Sequence, residues 1–272
     1  MISDITIGQY YASDSILHRL DPRVKIIMTL VYIISLFAFD TLPAFIFVTI
    51  VLFAVVRLSR VPFSYMIKGI RGILAVLIFT SLFNLFLTPG YVLWQWGPLT
   101  ITRHGIKLCI ILIVRLVYLI IGSSLMTLTT TPNNLTDGLE SLMKPLKLFG
   151  VPVHELAMMM AIALRFIPIL VEETDKIIKA QQARGADFES GNIFVRAKNM
   201  IPILIPLFVS AFRRADDLAL AMEARGYQGG DKRTKMKPLK YKTADIVAYV
   251  LMLAYAGVIL TFYLLNLHFW GI

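Results

Sequence analysis

The sequence predicts an all-α fold, a polytopic bundle of membrane helices followed by a region of long amphipathic helices. Three observations predict it. The 272 residues are 57% apolar and 16% charged, with a mean hydropathy of +0.73, too greasy for a water-soluble globule. Five stretches approach the roughly 20 apolar residues that a spanning helix needs. The basic residues concentrate in alternate segments, as membrane topology distributes them.

The N-terminal stretch Met1 to Asp21 is polar and lacks the basic flank, apolar core and small-residue cleavage site of a signal peptide, so insertion is expected to depend on the spans. Asp21-Pro22 then reads as an N-cap with proline at the first helical position, where its missing N–H costs nothing. The expected spans are Ile26–Phe39, Leu42–Val56, Ile73–Leu87, Leu108–Leu128 and Ile246–Leu267. Asp40-Thr41, with Pro43 beyond, makes a tight turn between the first two, and Pro89-Gly90 ends the third. The chain thus divides into membrane helices over 1–128 (about four spans), a helical region over 129–243, and a last span in 244–272. Cys109 is the single cysteine, which excludes an intrachain disulfide framework and a cysteine-based zinc knuckle.

The formal net charge of +10 could suggest nucleic acid, but its distribution argues otherwise. Of the 27 Lys and Arg, 24 fall in 1–25, 57–72 and 129–243, and only Arg103 and Lys107 fall in the alternate segments. The N-terminus and 129–243 are therefore expected in the cytoplasm and the C-terminus outside. The run Lys232, Arg233, Lys235, Lys237, Lys240 and Lys242 reads as a juxtamembrane stop that attracts anionic lipid. No aromatic residues interleave with bases in the manner of a stacking platform, so no nucleic-acid partner is expected. Arg115 is the remaining cation and sits within an apolar run, either as a substrate or gating contact or paired structurally with carbonyls or a neighbour such as Asn84. Trp94, Trp96 and Trp270 suit an interfacial belt.

Between 129 and 243 the pattern becomes mixed. Leu135 to Leu148 is amphipathic, with Pro145 as a kink and Gly150 as the stop. Two long helices follow, from His154 to Arg184 and from about Val195 to Arg225, each apolar in its first half and charged in its second. They read as arms lying along or just under the bilayer, with the alternative that their apolar halves are two further spans. Ala211, Ala215 and Ala219 form a small-residue face on which another helix can approach.

The ends of the arms repeat. Asp175 to Gly185 and Asp216 to Gly226 match as Asp-x-(Ile/Leu)-x-x-Ala-x-x-Ala-Arg-Gly, ungapped and 41 residues apart. One copy alone is an ordinary helix end, with Arg meeting the negative end of the dipole and Gly supplying a left-handed cap. Two copies in one register on twin arms say more. A slim tip bearing one long cation fits a groove with a carboxylate at its floor, and two tips imply a dimeric or pseudo-dimeric partner.

These tips, the spans, the arms, and the N-terminal Gly8-Gln9-Tyr10, Ser15, His18 to Arg23 and Lys25 together resemble the transmembrane (T) component of energy-coupling-factor (ECF) transporters, the vitamin and metal-ion uptake branch of the ABC transporters. The resemblance covers nearly the whole chain. It implies a scaffold in a prokaryotic plasma membrane that docks on two cytoplasmic ABC ATPase subunits through Ala183, Arg184, Gly185, Ala224, Arg225 and Gly226, the arginines pairing with acidic groove residues. It also implies a small substrate-binding membrane subunit, the S component, held on the greasy faces and choosing the vitamin or other micronutrient. ATP and magnesium would enter through the partner ATPases, with no cofactor bound by this chain.

The residues agree with a non-catalytic subunit. There is no Gly-x-x-x-x-Gly-Lys-Ser/Thr loop. His154-Glu155 begins like a His-Glu-x-x-His zinc site but ends in Met158, and the other histidines, 18, 104 and 268, are scattered. None of the five apolar runs contains Asp or Glu, which weighs against a self-powered carrier. A stand-alone permease or channel, and a membrane enzyme or assembly factor, are the rival readings.

Overall fold

The computed structural model describes residues 10–96, 99–188, 190, 192–227, 229 and 238–269. The helices are α1 (Ile16–Arg19), α2 (Pro22–Phe37), α3 (Leu42–Ser59), α4 (Phe63–Leu87), α5 (Arg103–Thr129), α6 (Pro132–Met143), α7 (Val153–Ala183), α8 (Ile193–Ala224) and α9 (Thr243–Phe269). A 3₁₀ helix, Lys144–Phe149, follows α6, with Pro145 near its start and Gly150 closing it at φ 79°. Among the described residues the fold is an all-α bundle with one exception, an antiparallel hairpin of β1 (Val92–Trp96) and β2 (Leu99–Thr102). The alternation Leu99-Thr100-Ile101-Thr102 and the aromatic, β-branched content of Val92 to Trp96, on either side of Gly97-Pro98, carried that signal.

Two compact units divide the described chain. One comprises the residues up to Leu139 and from Leu239 onward, the other Glu140–Pro238. Among the described residues five helices are long and apolar enough to cross a membrane: α3, α5, α7, α9 and, within α8, Phe194–Ala224. Three of these match expected spans. The expected first span lies in α2, which has only 16 residues, and the third in α4, whose apolar stretch is Gly72–Leu87. By length and composition both arms are as capable of crossing as α3.

In the first unit the apolar faces of α2, α3, α5 and α9 meet around Leu36, Phe39, Val48 and Ile259. A second cluster gathers Leu52, Met66, Ile121 and Leu128. Buried polar groups in lipid must find partners among themselves, and here tyrosines supply them. Tyr32 donates to the Tyr118 carbonyl at 3.0 Å, Tyr118 shares a hydrogen bond with Thr49, and Tyr255 shares one with Ser35 at 2.7 Å. The Tyr32 ring lies directly on Gly122, where a Cβ would overlap its Cε1.

Arg115 is paired structurally with a backbone carbonyl, one of the two expected readings, but its side-chain partner is not the one expected. Its guanidinium donates to the Phe39 carbonyl at 2.8 Å and to Asp40 Oδ1 at 2.6 Å, and lies 5.5 Å over the Phe37 ring. Asn84 is not its partner; that amide donates to the Thr80 carbonyl in its own helix. The α2–α3 turn brings a carboxylate and a freed helix-end carbonyl within reach of α5, so the cation answers the orphan groups of a helix terminus. Trp94 and Trp96 fall in β1, whereas Trp270, Gly8, Gln9 and Lys232 to Lys237 lie outside the described residues.

At the opposite end of α2 the N-terminal segment is stitched to three other helices. Asp21 caps α2 by accepting from the Arg23 amide, with Pro22 at the first position. Its own amide donates to Asp245 Oδ1 at 2.8 Å, while Asp245 Oδ2 accepts from the Lys242 amide at 2.7 Å and so caps α9. Lys25 Nζ donates to the Thr129 carbonyl at the end of α5 at 2.8 Å and to the His18 carbonyl at 3.4 Å. Asp21, Lys25 and Asp245 are 7, 8 and 1% exposed. His18 Nε2 faces the Tyr11 carbonyl at 3.0 Å, which requires a proton on Nε2; in the neutral ring Nδ1 then accepts from the Ser15 hydroxyl at 2.7 Å. By contrast the Arg19–Asp14 pair, though it holds the Asp14 carboxyl below its usual range, is 71 and 74% exposed and adds little.

The Gly122–Tyr32 contact yields a stability test. Gly122→Ala should displace the Tyr32 ring from its hydrogen bond and cost about 1–3 kcal/mol, the range for overpacking a filled site. Gly257→Ala, where a Cβ meets nothing within 4 Å, should be neutral. Melting temperatures of the two purified variants in one detergent check both outcomes.

Candidate coupling site on the two helical arms

The second unit is built on α7 and α8, each broken into halves by composition. Arg214 and Glu173 make an ion pair across the two helices at 2.5 Å. Ile162, Phe166 and Leu170 of α7 line a shallow apolar groove with Ala211, Ala215, Leu218 and Ala219 of α8. The small-residue face expected to admit another helix therefore admits α7. Alanine there lets the two backbones approach, and the neighbouring Leu170 and Leu218 supply the contact.

Proline shapes α8. Pro206 has no N–H, so the carbonyl of Pro202, four residues earlier, loses its partner. Gln181 Nε2, from the last turn of α7, donates to that carbonyl at 3.4 Å. The repair ties the end of α7 to the proline turn of α8. Behind it, Asp187 accepts from the Ser190 amide and hydroxyl at 3.2 and 2.6 Å, and Asn199 donates to the Asp187 carbonyl at 2.8 Å, closing the turn between the arms.

Both arms finish in the same cap. Arg184 and Arg225 hold the C-cap position with φ, ψ of −89°, 6° and −88°, 8°. The following glycines are left-handed, Gly185 at 85° and Gly226 at 70°. Gly185 donates to Gln182 and Ala186 to Gln181, each at 3.0 Å; Gly226 donates to Glu223 at 2.8 Å and Tyr227 to Met222 at 3.0 Å. These are two Schellman motifs, bond for bond. The carbonyls of Gln181 and Gln182, and of Met222 and Glu223, are thus satisfied by backbone alone, and the caps make no use of the arginine side chains. Ala183, Arg184, Gly185, Ala224, Arg225 and Gly226 are all exposed, and a Cβ at either glycine would meet nothing within 4 Å. The glycines are required by φ, not by crowding.

The tips differ in two respects that the repeat did not reveal. The residue whose carbonyl closes the cap is Gln181 in the first arm, tied to α8, and Met222 in the second, which lines the interhelix groove. The first eleven-residue copy carries three basic residues against one acidic, the second one basic against three acidic. His154, discounted as a zinc ligand, faces Glu140 Oε1 at 3.2 Å, and among the described residues no three His, Cys, Asp or Glu gather as a metal site. Gly185→Ala should cost roughly 1–2 kcal/mol of local stability, the left-handed penalty, with Gly185→Asn milder. Hydrogen exchange at the Arg184, Gly185 and Ala186 amides should quicken about tenfold in the alanine variant while the rest of α7 is unchanged.

Comparison with known proteins places this architecture. The family model described as cobalt transport protein (CbiQ) matches residues 13–236. The chain is 54% identical over 250 residues to the "Energy-coupling factor transporter transmembrane protein EcfT" of Clostridium kluyveri, covering 91% of this chain and 93% of that one. The protein of the same description from Acidaminococcus fermentans is 50% identical over 272 residues, 100% and 99% of the two chains, and that from Bacillus subtilis 45% over 260 residues, 95% and 98%. With a family model spanning most of its length and relatives matched end to end, this multi-pass membrane protein belongs to the family of the transmembrane (T) component of ECF transporters.

Proposed function

We propose that this chain is the scaffold that transmits ATP-driven movement of two cytoplasmic ABC ATPase subunits to a substrate-binding S component in the same membrane. The observation that carries the reading is the pair of identically capped, exposed arginine tips. Each tip enters a groove of one ATPase, where Arg184 or Arg225 meets a carboxylate; the flanking alanines keep the tip narrow, and the backbone cap leaves all five guanidinium donors for the partner. The distribution of Lys and Arg supports a cytoplasmic position for both tips.

When the ATPases bind ATP and magnesium and close, the tips are drawn together. The α7–α8 crossing transmits that movement, because its alanines bring the two helices close, its leucines make the contact and the Arg214–Glu173 pair holds its register. The apolar faces of the arms and spans carry the S component, which selects the vitamin or other micronutrient and is tilted between outward and inward orientations. This chain binds no nucleotide in that cycle. The opposite net charges of the two tips suit two non-equivalent grooves, with Arg184 and Arg225 contributing unequally.

Truncating one member of a buried charge pair costs about 2–5 kcal/mol, roughly 30-fold or more in each docking equilibrium. Arg184→Ala with Arg225→Ala should therefore abolish ATP-driven uptake and deplete the ATPases that co-purify in mild detergent. Membrane insertion should stay at the wild-type level, since an exposed tip contributes little to folding. Wild-type uptake in the double variant would refute the role of the tips. If the chain is isolated without ATPases, the permease reading gains instead, and flux through the chain alone in liposomes would establish it.

A further inference from the structure

The N-terminal knot lies within the first unit, in contact with the residues that flank the arms in the sequence, Gly138 and Leu239. The chain leaves the first unit after Leu139 and re-enters it at Leu239, so every covalent link to the arms runs through these two crossings. Contacts from one short segment, residues 21–25, reach the chain on both sides: packing on Gly138 next to the outgoing crossing, with a polar contact to the end of α5 before it, and polar contacts to Leu239 at the returning one. On the outgoing side Lys25 holds the Thr129 carbonyl, and Gly138 packs so closely that a Cβ there would lie 3.1 Å from Pro22 Cβ. On the returning side Arg23 donates to the Leu239 carbonyl at 3.2 Å and lies 5.0 Å over the Tyr241 ring, and the Asp21 amide holds Asp245.

We infer that Asp21, Arg23, Lys25 and Asp245 form a brace that clamps both crossings to the start of α2, and that they act as positioning residues through which arm movement reaches the spans. This rests on the coupling function proposed above. The physical argument is one of leverage. Two unsupported crossings would act as hinges and absorb a movement of the arms as local bending. Held to one rigid turn of α2 by buried hydrogen bonds, they deliver it to α2, α5 and α9 together. Burial matters because water cannot compete for these donors and acceptors, so the contacts persist under load. A purely structural cap on α2 would need only Asp21; the reach of Lys25 to α5 and of Arg23 to Leu239 serves nothing within α2 itself.

The test uses the complete complex as it purifies from its own cells, without nucleotide and trapped with ADP and vanadate. Hydrogen exchange is read at the tips (181–186 and 222–227), at the crossings (129–139 and 239–249) and in the spans. In wild type, trapping should change exchange at tips, crossings and spans alike. In Lys25→Met, which keeps the aliphatic stem, exchange should rise at least tenfold at both crossings, although Lys25 touches only one, and the spans should lose their response while the tips keep theirs. Lys25→Arg should restore the response. Arg23→Met, a milder lesion at a half-buried position, should give the same pattern more weakly and serves as the deciding variant if Lys25→Met does not assemble. Loosening confined to 129–139, or spans that still respond in Lys25→Met and Arg23→Met, would overturn the brace and leave the coupling function standing. Tips blind to trapping in the wild type would overturn the coupling function, and the brace with it.

Discussion

A buried ammonium held by two main-chain carbonyls, with two carboxylates beside it, is the interaction on which the rest of this architecture depends. Helix ends in or near lipid carry free N–H and C=O groups that nothing in hydrocarbon can satisfy. Here the end of one helix supplies what the start of another lacks. Lys25 takes the last carbonyl of α5, Asp245 takes the amide of Asp21 and caps α9, and Asp21 caps α2. Charge is tolerated at such low exposure because each group is paired and hydrogen-bonded, and removal of one would strand the others. The apolar contacts above, from Leu36 to Ile259, fill space; the knot decides which ends lie together.

The same logic recurs wherever the chain leaves a helix. Arg115 serves the α2–α3 turn, Thr102 accepts from the Gly105 amide to cap α5, and the arm tips close on their own backbone. At the tips the solution is the backbone's own, closed by a left-handed glycine, so capping leaves the arginine side chains unused. Stability and recognition are separated residue by residue: glycine and three or four backbone bonds make the end, and arginine is left over.

Local features were legible in the sequence because local geometry causes them. Asp21-Pro22 is a cap by its chemistry, Ala-Arg-Gly is a helix end by the conformational freedom of Gly185 and Gly226, and Pro145 forces α6 into a 3₁₀ turn. Contacts between distant segments were not. Nothing in the periodicity of α9 couples Asp245 to a residue 224 positions away, and Arg115 found Asp40 rather than Asn84 because a turn, not a helix face, presented the nearest acceptor. The Gln181–Pro202 bond had a readable half, since Pro206 four residues after Pro202 announces an orphan carbonyl, but not its donor. The hairpin at 92–102 was overlooked because its alternation is short against the surrounding apolar helices. Apolar length alone likewise cannot separate α7 and α8 from α3, since a half-greasy helix and a span share a hydropathy window.

One consequence of the unlike charges on the two tips concerns assembly. Two arms ending in one backbone motif resemble a connector with interchangeable pins, and a connector of that kind can be inserted either way round. Three basic residues against one on the first pin, and the reverse on the second, give it polarity. On the docking proposed above, a pair of unlike sockets would meet complementary fields in one orientation and like charges in the other, so the orientation of the assembly would be keyed by side chains outside the capping bonds of either tip.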